Sequence, residues 1–462
     1  MNIIRRRVLL ALAGAAALVA GCASAPAPGN KAPPIVFVHG NGDTAALWTT
    51  TLWRFESNGW PRERLHAIDI PDPSARDDDG KPQEGRSSTA EQMQFLAAEV
   101  ERVRRATGAD KVVLMGNSRG GYAIRNYIQN GGGDKTVSHA ILGGTPNHGV
   151  WSNPGFRPGS EFNGSGPFLS ALNAPKGPRG DEVTPGVQWL TIRSDSNDKF
   201  AQPDGVWIGA KGTPTHVTFE GPALKGATDA VLPGRDHRET AYHAEAFAKA
   251  YAFVTGRAPA MLEITPEDSV QLDGKVSGST AAGPTNLPLA GARVEVYAVD
   301  AASGARLGAA RVAKTIGADG RWGPITTDAR TPLEFVISAP GYATTHIYRS
   351  AFLRSSDIVH LRPERLAAAD HDAESVVTLT RPRGYFGLPR DHIVFDGHDP
   401  APGIPNGVAG VASSKLELAG GAGRSVVADY RSGAISEHVV GVAWPVRDAA
   451  GADQVVVLEL HQ

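Results

Sequence analysis

Ser118 sits in the pentapeptide Gly116-Asn-Ser-Arg-Gly120, a G-x-S-x-G pattern. The apolar run Lys111-Val-Val-Leu-Met115 precedes it and a helix-like segment, Gly121 to Asn130, follows. A sharp strand-to-helix turn at this point lifts a serine hydroxyl into a cleft, where it can act as a nucleophile. Glycines at 116 and 120 suit such a turn, because a Cβ there would meet the neighbouring strand and helix. With 54 glycines in 462 residues the pentapeptide alone is a weak signal. Its weight comes from the flanking elements and from matching partners elsewhere.

A serine nucleophile needs a base, an orienting acid and donors for a developing oxyanion. Ile35-Val-Phe-Val38 reads as a buried strand and runs into His39-Gly40-Asn41-Gly42. In hydrolases of the α/β type an HG turn after this strand supplies one oxyanion amide, and the residue after the nucleophile supplies the other. These are the backbone N–H groups of Asn41 and Arg119; the His39 side chain reads as a brace for the loop. The acid belongs in a loop at the carboxyl end of a strand. Arg193-Ser-Asp195-Ser-Asn-Asp198-Lys-Phe200 follows the strand-like Val187 to Ile192 and offers two aspartates. Asp198 is favoured, since a small apolar stretch and Pro203 follow it; Asp195 is the rival and Asp204 reads as a turn residue. His237 lies in a loop before an amphipathic segment, Ala241 to Thr255, and suits the chain order Ser, Asp, His. His243 is placed within that helix, while His148 and His216 read as structural. Ser118, Asp198 and His237 together support acyl transfer through an acyl-enzyme, with no metal and no cofactor. Asp77-Asp-Asp79 lies in a polar loop and is read as solvated, not as a cation site.

Helical spacing of Met93, Leu96, Val100 and Val103 after Ser88-Thr89 predicts a helix ending near Gly108. Ala140 to Leu142 and Val187 to Ile192 read as further strands. Strands alternating with helices imply a mostly parallel sheet flanked by helices, an α/β-hydrolase fold. The stretch from Trp151 to Pro185, rich in Gly and Pro and carrying Phe156, Phe162 and Phe168, suits a lid or binding loop, or an insertion with its own small core. After about residue 257 helical periodicity fades. Ala292-Arg-Val-Glu-Val-Tyr-Ala-Val299 alternates with period two, and turn signals surround it. This region resembles transthyretin-like β-sandwich modules. The last block repeats β-rich runs at 375–379, 425–429, 438–443 and 454–458. The expected organisation is a catalytic domain over 34–257, a β-sandwich over 258–366 and a second β-unit over 367–462 packed on the first.

The N-terminus reads as an address. Arg5-Arg-Arg7 precedes an apolar run from Val8 to Ala20, too short for a mature transmembrane helix. Val19-Ala20-Gly21-Cys22 resembles the lipobox of bacterial lipoproteins, and Cys22 is the single cysteine of the chain. The resemblance implies a signal peptide over 1–22, a lipid on Cys22 and a tether over 23–33; Ala23 directs such lipoproteins to the outer membrane. Charged residues make up 20% of the chain and the net charge is −2, with no basic stripe. Nucleic acid is therefore excluded as a partner.

From about Pro34 onwards, the order of a hydrolase domain and a β-rich tail resembles archaeal and bacterial lipases with a C-terminal lipid-binding domain. The tail segments Tyr348-Arg-Ser-Ala-Phe352 and Leu361-Arg-Pro-Glu-Arg-Leu366 share in it. The resemblance implies carboxylic-ester hydrolysis on lipidic esters at the cell envelope. Two residues depart from the lipase pattern. Asn117 stands where His is common, and Arg119, where Met or Gln is usual, is expected to meet a carboxylate or an acidic polymer. Two other readings stay open: an extracellular depolymerase of polyesters such as polyhydroxyalkanoates, and a non-catalytic lipid- or polymer-binding lipoprotein. Acyl length, alcohol group and oligomeric state are not encoded in any pattern here.

Overall fold

The computed structural model describes residues 32–462. Cys22, the signal segment and most of the tether lie outside the described residues.

Six strands form the first sheet: β1 (Ile35–Val38), β2 (Leu65–Ile68), β3 (Val112–Asn117), β4 (Val137–Gly143), β5 (Gln188–Arg193) and β6 (Thr228–Val231). Their order is β2-β1-β3-β4-β5-β6 and every pairing is parallel. Parallel strands need helical crossovers, so both faces are covered and both alternating side-chain sets are apolar. Ile35, Phe37, Val113, Met115, Ile141 and Ile192 face one core. Helices α1 (Thr49–Ser57) and α4 (Ala244–Thr255) close that side, with Phe55 edge-on to Phe247 at 5.0 Å. Val36, Val38, Leu114, Ala140 and Leu142 face the other core, under α2 (Thr89–Thr107) and α3 (Arg119–Asn130).

The periodicity reading of α2 is matched closely. Ser88 and Glu91 form a reciprocal capping box, and Gly108 closes the helix with φ 66°, a left-handed position where glycine carries no Cβ penalty. The segment expected as one helix from Ala241 is instead a short turn, Glu239–Tyr242, then α4, with His243 at the break. His243 thus stands at the helix N-cap and not inside the helix. Strands β2 and β6 carry too little apolar alternation to stand out in the sequence; β6 is nearly all exposed or half-buried.

In the C-terminal half a seven-stranded sheet runs in the order Val312–Thr315, Arg293–Ala298, Leu333–Ser338, Thr344–Arg349, Gln454–Glu459, Ser375–Thr380, Ser413–Leu418. It crosses the boundary at 366/367: Gln454–Glu459 inserts in parallel between Thr344–Arg349 and Ser375–Thr380. The two β-rich regions therefore share one sheet, and the pairing is edge to edge. A separate antiparallel sheet of His392–Phe395, Ser425–Ser432 and Ile435–Val442 covers the last block. Catalytic and β-regions are also joined through α1. Trp53 is buried in the β-region core, donates its indole N–H to Ser355 O at 3.0 Å and lies edge-on to Phe352.

Candidate active site

Ser118 occupies the tight turn between β3 and α3 with φ 52° and ψ −120°. A non-glycine residue in this region of backbone space is strained, and such strain persists where the surroundings over-determine it. Here the surroundings are glycines. A Cβ on Gly120 would stand 2.4 Å from Val38 O, and one on Gly116 would stand 2.7 Å from Ile124 Cδ1 and 2.9 Å from the Gly120 carbonyl carbon. Close packing of α3 against β1 therefore needs Gly120, and its packing on β3 needs Gly116. Ser118 N–H donates to Gly143 O at 3.0 Å, fixing the turn on β4.

His237 and Asp198, both expected site residues, are brought together from separate loops. His237 Nδ1 lies 2.9 Å from Asp198 Oδ1 and 3.0 Å from Oδ2. Both residues are buried, and the Phe200 ring stands edge-on to the imidazole at 4.6 Å. With Nδ1 committed to a carboxylate, Nε2 is the atom available for proton transfer; it has no hydrogen-bond partner among the described residues. Asp198 Oδ1 also accepts from Phe200 N–H at 2.8 Å, which shapes its loop. The rival Asp195 faces elsewhere. Its carboxylate accepts from Asn197 N–H and Gly234 N–H, and these bonds, against the cost of burial, hold it below the ordinary carboxylate range. Asp204 accepts from Val206 N–H in a turn.

Ser118, His237 and Asn41 line one solvent-open cavity of about 900 Å³. A Cβ on Gly40 would stand 3.2 Å from Ser118 Cβ, so the HG turn packs directly on the serine. Asn41 Oδ1 accepts from Ala75 N–H, which ties the turn to the next loop. Arg119 is the first residue of α3, and the first N–H groups of a helix have no partner inside it. His39 braces the turn: Nδ1 contacts Gly40 O, Nε2 accepts from Ile70 N–H, and burial pushes its pKa down.

The Arg119 side chain does not line the cavity. It is fully buried and forms a bidentate pair with Glu161, both contacts at 2.7 Å, with further bonds to Pro73 O and Ser87. The expectation that it greets an acidic polymer is corrected: the elbow aims its hydroxyl outward but turns the next side chain under the loop 151–185. Asn117, the other departure, also faces inward, its amide donating to Gly143 O at 3.0 Å and His237 O at 3.4 Å. It ties the nucleophile strand to the histidine loop.

The remaining histidines have other tasks. His243 accepts from Glu245 N–H as the α4 cap, and burial pushes it down to about 3. His148 pairs with Glu182 at 3.0 Å. His216 belongs to no strand and adopts φ 58°. Asp79 caps α2 through Thr89 N–H and Oγ1.

The loop 151–185 packs its own small core and also borders the cavity. Leu169 and Leu172 pack on Tyr122 as a small core, while Trp151, Arg157 and Phe162 line the catalytic cavity. The other walls were not foreseen. Phe200 and Trp207 come from the acid loop, Arg238 from the histidine loop, and Tyr385 from the last β-unit. No motif surrounds Tyr385, and only tertiary packing brings it there.

A parallel sheet whose serine elbow, histidine and carboxylate converge at the carboxyl ends of its strands defines an α/β-hydrolase. Residues 32–150 match the family Lipase (class 2), and residues 268–366 match the Lipase C-terminal domain. The chain has an α/β-hydrolase fold followed by a β-rich region, and its two matches to lipase families support carboxylic ester hydrolysis. Among solved structures it is similar to Aspergillus fumigatus lipase B, at 18% identity and TM-score 0.34, over 52% of this chain and 56% of that one. It is also similar to Bacillus licheniformis lipase BlEst2 in its propeptide form, at 14% identity and TM-score 0.34, over 90% and 94% of the two chains. A Bacillus subtilis carboxylesterase, CesB, is similar at 14% identity and TM-score 0.27, over 49% of this chain and 85% of that one.

Proposed function

We propose that the chain hydrolyses esters through Ser118, His237 and Asp198. The observation that carries this reading is the buried Asp198–His237 pair, with Nε2 unpartnered beside the cavity that holds the strained Ser118 turn. In the first half-reaction His237 Nε2 takes the Ser118 proton while Oγ attacks the acyl carbonyl. The resulting oxyanion is held by the backbone N–H groups of Asn41 and Arg119. The imidazolium then protonates the leaving alkoxide, and the acyl-enzyme forms. Water, activated by the same histidine, releases the acid. Asp198 keeps the proton of the imidazole on Nδ1 and stabilises the imidazolium.

Aromatic walls (Trp151, Phe162, Phe200, Trp207 and Tyr385) interleaved with Arg76, Arg157, Arg238, Asp43 and Asp77 favour a compact or aromatic acyl group over a long alkyl chain. The substrate is a lipidic ester of short acyl chain or a polyester, and the protein acts at the envelope, held by a lipid on Cys22. A fluorophosphonate probe should label the wild type and not Ser118→Ala. Chain-length profiling on p-nitrophenyl esters, beside a polyester film, separates esterase from depolymerase. An unlabelled but folded wild type rules out the serine mechanism. Labelling that survives Ser118→Ala rules out this nucleophile. Incorporation of a radiolabelled fatty acid, lost in Cys22→Ser, tests the anchor.

A further inference from the structure

The last β-unit reaches the histidine loop through Arg381 and Arg390, and Arg381 is the more deeply buried of the two. Arg381 is fully buried and all five of its N–H groups have acceptors. Nη1 donates to Asp236 Oδ2 and to Tyr385 O, both at 2.8 Å; Nη2 donates to Glu239 Oε1 at 2.6 Å and Tyr242 OH at 2.9 Å. Nε donates to Gln462 O at 2.9 Å. A Cβ on Gly384 would lie 2.4 Å from the guanidinium, so the backbone closes tightly over it.

Asp236 and Glu239 stand one residue before and two residues after His237, and both are fully buried. Asp236 Oδ1 caps the loop by accepting from Arg238 N–H and Glu239 N–H, while Oδ2 accepts from Arg381 and from Tyr385 N–H. Glu239 Oε2 accepts from Asp236 N–H and from Arg390 Nη1. Burial pushes the Glu239 carboxyl up, but Arg381 and Arg390 outweigh it and hold it below its ordinary value. The acid loop is held on the same unit. Lys199 Nζ, next to Asp198, donates to Gly410 O at 2.8 Å and lies 4.0 Å from the Tyr385 ring centroid. Arg238 lies 4.7 Å from the same ring and pairs with Asp43 on the oxyanion side.

We infer that segment 381–390 completes the active site: Arg381 is a positioning residue for the base His237, and Tyr385 is a wall of the acyl cavity that sets substrate preference. This rests on the assignment of His237 as base. The β-tail is then a structural part of the catalytic centre, and not only a surface for aggregated substrate. The physical reason is geometric. Proton transfer tolerates little displacement, and a misplacement of about 1 Å from a remote change costs on the order of a hundredfold in rate.

The test compares the full-length chain with Arg381→Ala, Arg381→Lys, Tyr385→Ala and His237→Ala on p-nitrophenyl esters of aliphatic and aromatic acids, with folding checked by circular dichroism and thermal melting. Folded Arg381→Ala should lose on the order of a hundredfold in kcat with little change in KM. Low millimolar guanidinium should restore part of it, because the fork fits the vacated space; a purely structural loss would lower the melting temperature without the selective fall in kcat. Should the alanine variant not fold, Arg381→Lys keeps the charge, loses the fork and should show the same selective fall in kcat. Tyr385→Ala should raise KM most for the aromatic esters. Folded Arg381 variants with wild-type kcat overturn the positioning role. An unchanged ester profile in Tyr385→Ala overturns the wall. If His237→Ala itself retains wild-type activity, the assignment of the base falls first; if it is inactive while the Arg381 variants are normal, only the inference about Arg381 falls.

Discussion

Asp198→Asn separates two aspartates three residues apart whose sequence contexts are almost equivalent. In the structure Asp198 Oδ1 already accepts from Phe200 N–H at 2.8 Å. An asparagine that keeps its oxygen there, still 2.9 Å from His237 Nδ1, puts its NH2 group in the place of Oδ2, 3.0 Å from the same nitrogen. One of the two carboxylate oxygens that hold the Nδ1–H tautomer is then a donor, and the tautomer with the proton on Nε2 is favoured instead. The imidazole then has no lone pair for the Ser118 hydroxyl. Loss of the correct tautomer in such a triad costs about 10⁴ in kcat, which at 1.36 kcal/mol per decade is roughly 5 kcal/mol of transition-state stabilisation. The fold loses little, since shape and the Phe200 bond remain. Asp195→Asn, by contrast, weakens hydrogen bonds to Asn197 and Gly234, each worth about 1 kcal/mol. It should lower the melting temperature and leave kcat within a fewfold. The assay is steady-state hydrolysis of a p-nitrophenyl ester, with melting curves alongside. Asp198→Asn within tenfold of wild type, together with collapse of Asp195→Asn, would refute the assignment and the tautomer argument with it.

Gly120→Ala forces a Cβ to within 2.4 Å of the Val38 carbonyl oxygen; backbone must shift, at a cost of about 1–3 kcal/mol or more, and probe labelling of Ser118 should fall along with the melting temperature. Arg119→Met leaves Glu161 buried without its partner, a loss of about 3–5 kcal/mol; denaturant unfolding should show it, while the ester profile of the folded fraction stays that of the wild type. His243 is held neutral by burial, its pKa pushed down to about 3 from an ordinary 6.5. The unfolded chain binds this proton first, so the contribution is complete above pH 6.5 and is lost as pH falls toward 3. His243→Asn retains a capping side chain, and its melting temperature should fall less steeply than that of the wild type across that window; parallel curves would show that His243 does not drive acid sensitivity.

Much of the catalytic layer is legible locally. Ser118 is marked by its two glycines, because the tight turn imposes a requirement on nearest neighbours. The capping box at Ser88 and Glu91 and the buried runs of β1 and β3 are equally short-range. His237 could be chosen over His243 because it lies in the loop before the helix, although the break at the α4 cap could not be seen. Arg119 misled for a definite reason. Sequence places it beside the nucleophile, but only the fold places Glu161, 42 residues on, where it captures the guanidinium. Lys199, Trp207 and Tyr385 carry no motif, since their positions are set by how an acid loop and a distant β-unit meet.

Short-range patterns already mark which residues hold chemical capability and which local elements present them: a serine on a strand-to-helix turn, an HG turn, a late histidine and alternating apolar strands. These are consequences of backbone sterics and periodicity, which act over a few residues. Tertiary packing sets which aspartate pairs with His237, where Arg119 goes and how the tail borders the cavity. Those outcomes depend on pairing buried charges across the chain, such as Arg381 with Asp236 and Glu239. A buried ion must find its partner wherever the fold brings one, and no spacing in the sequence records that distance.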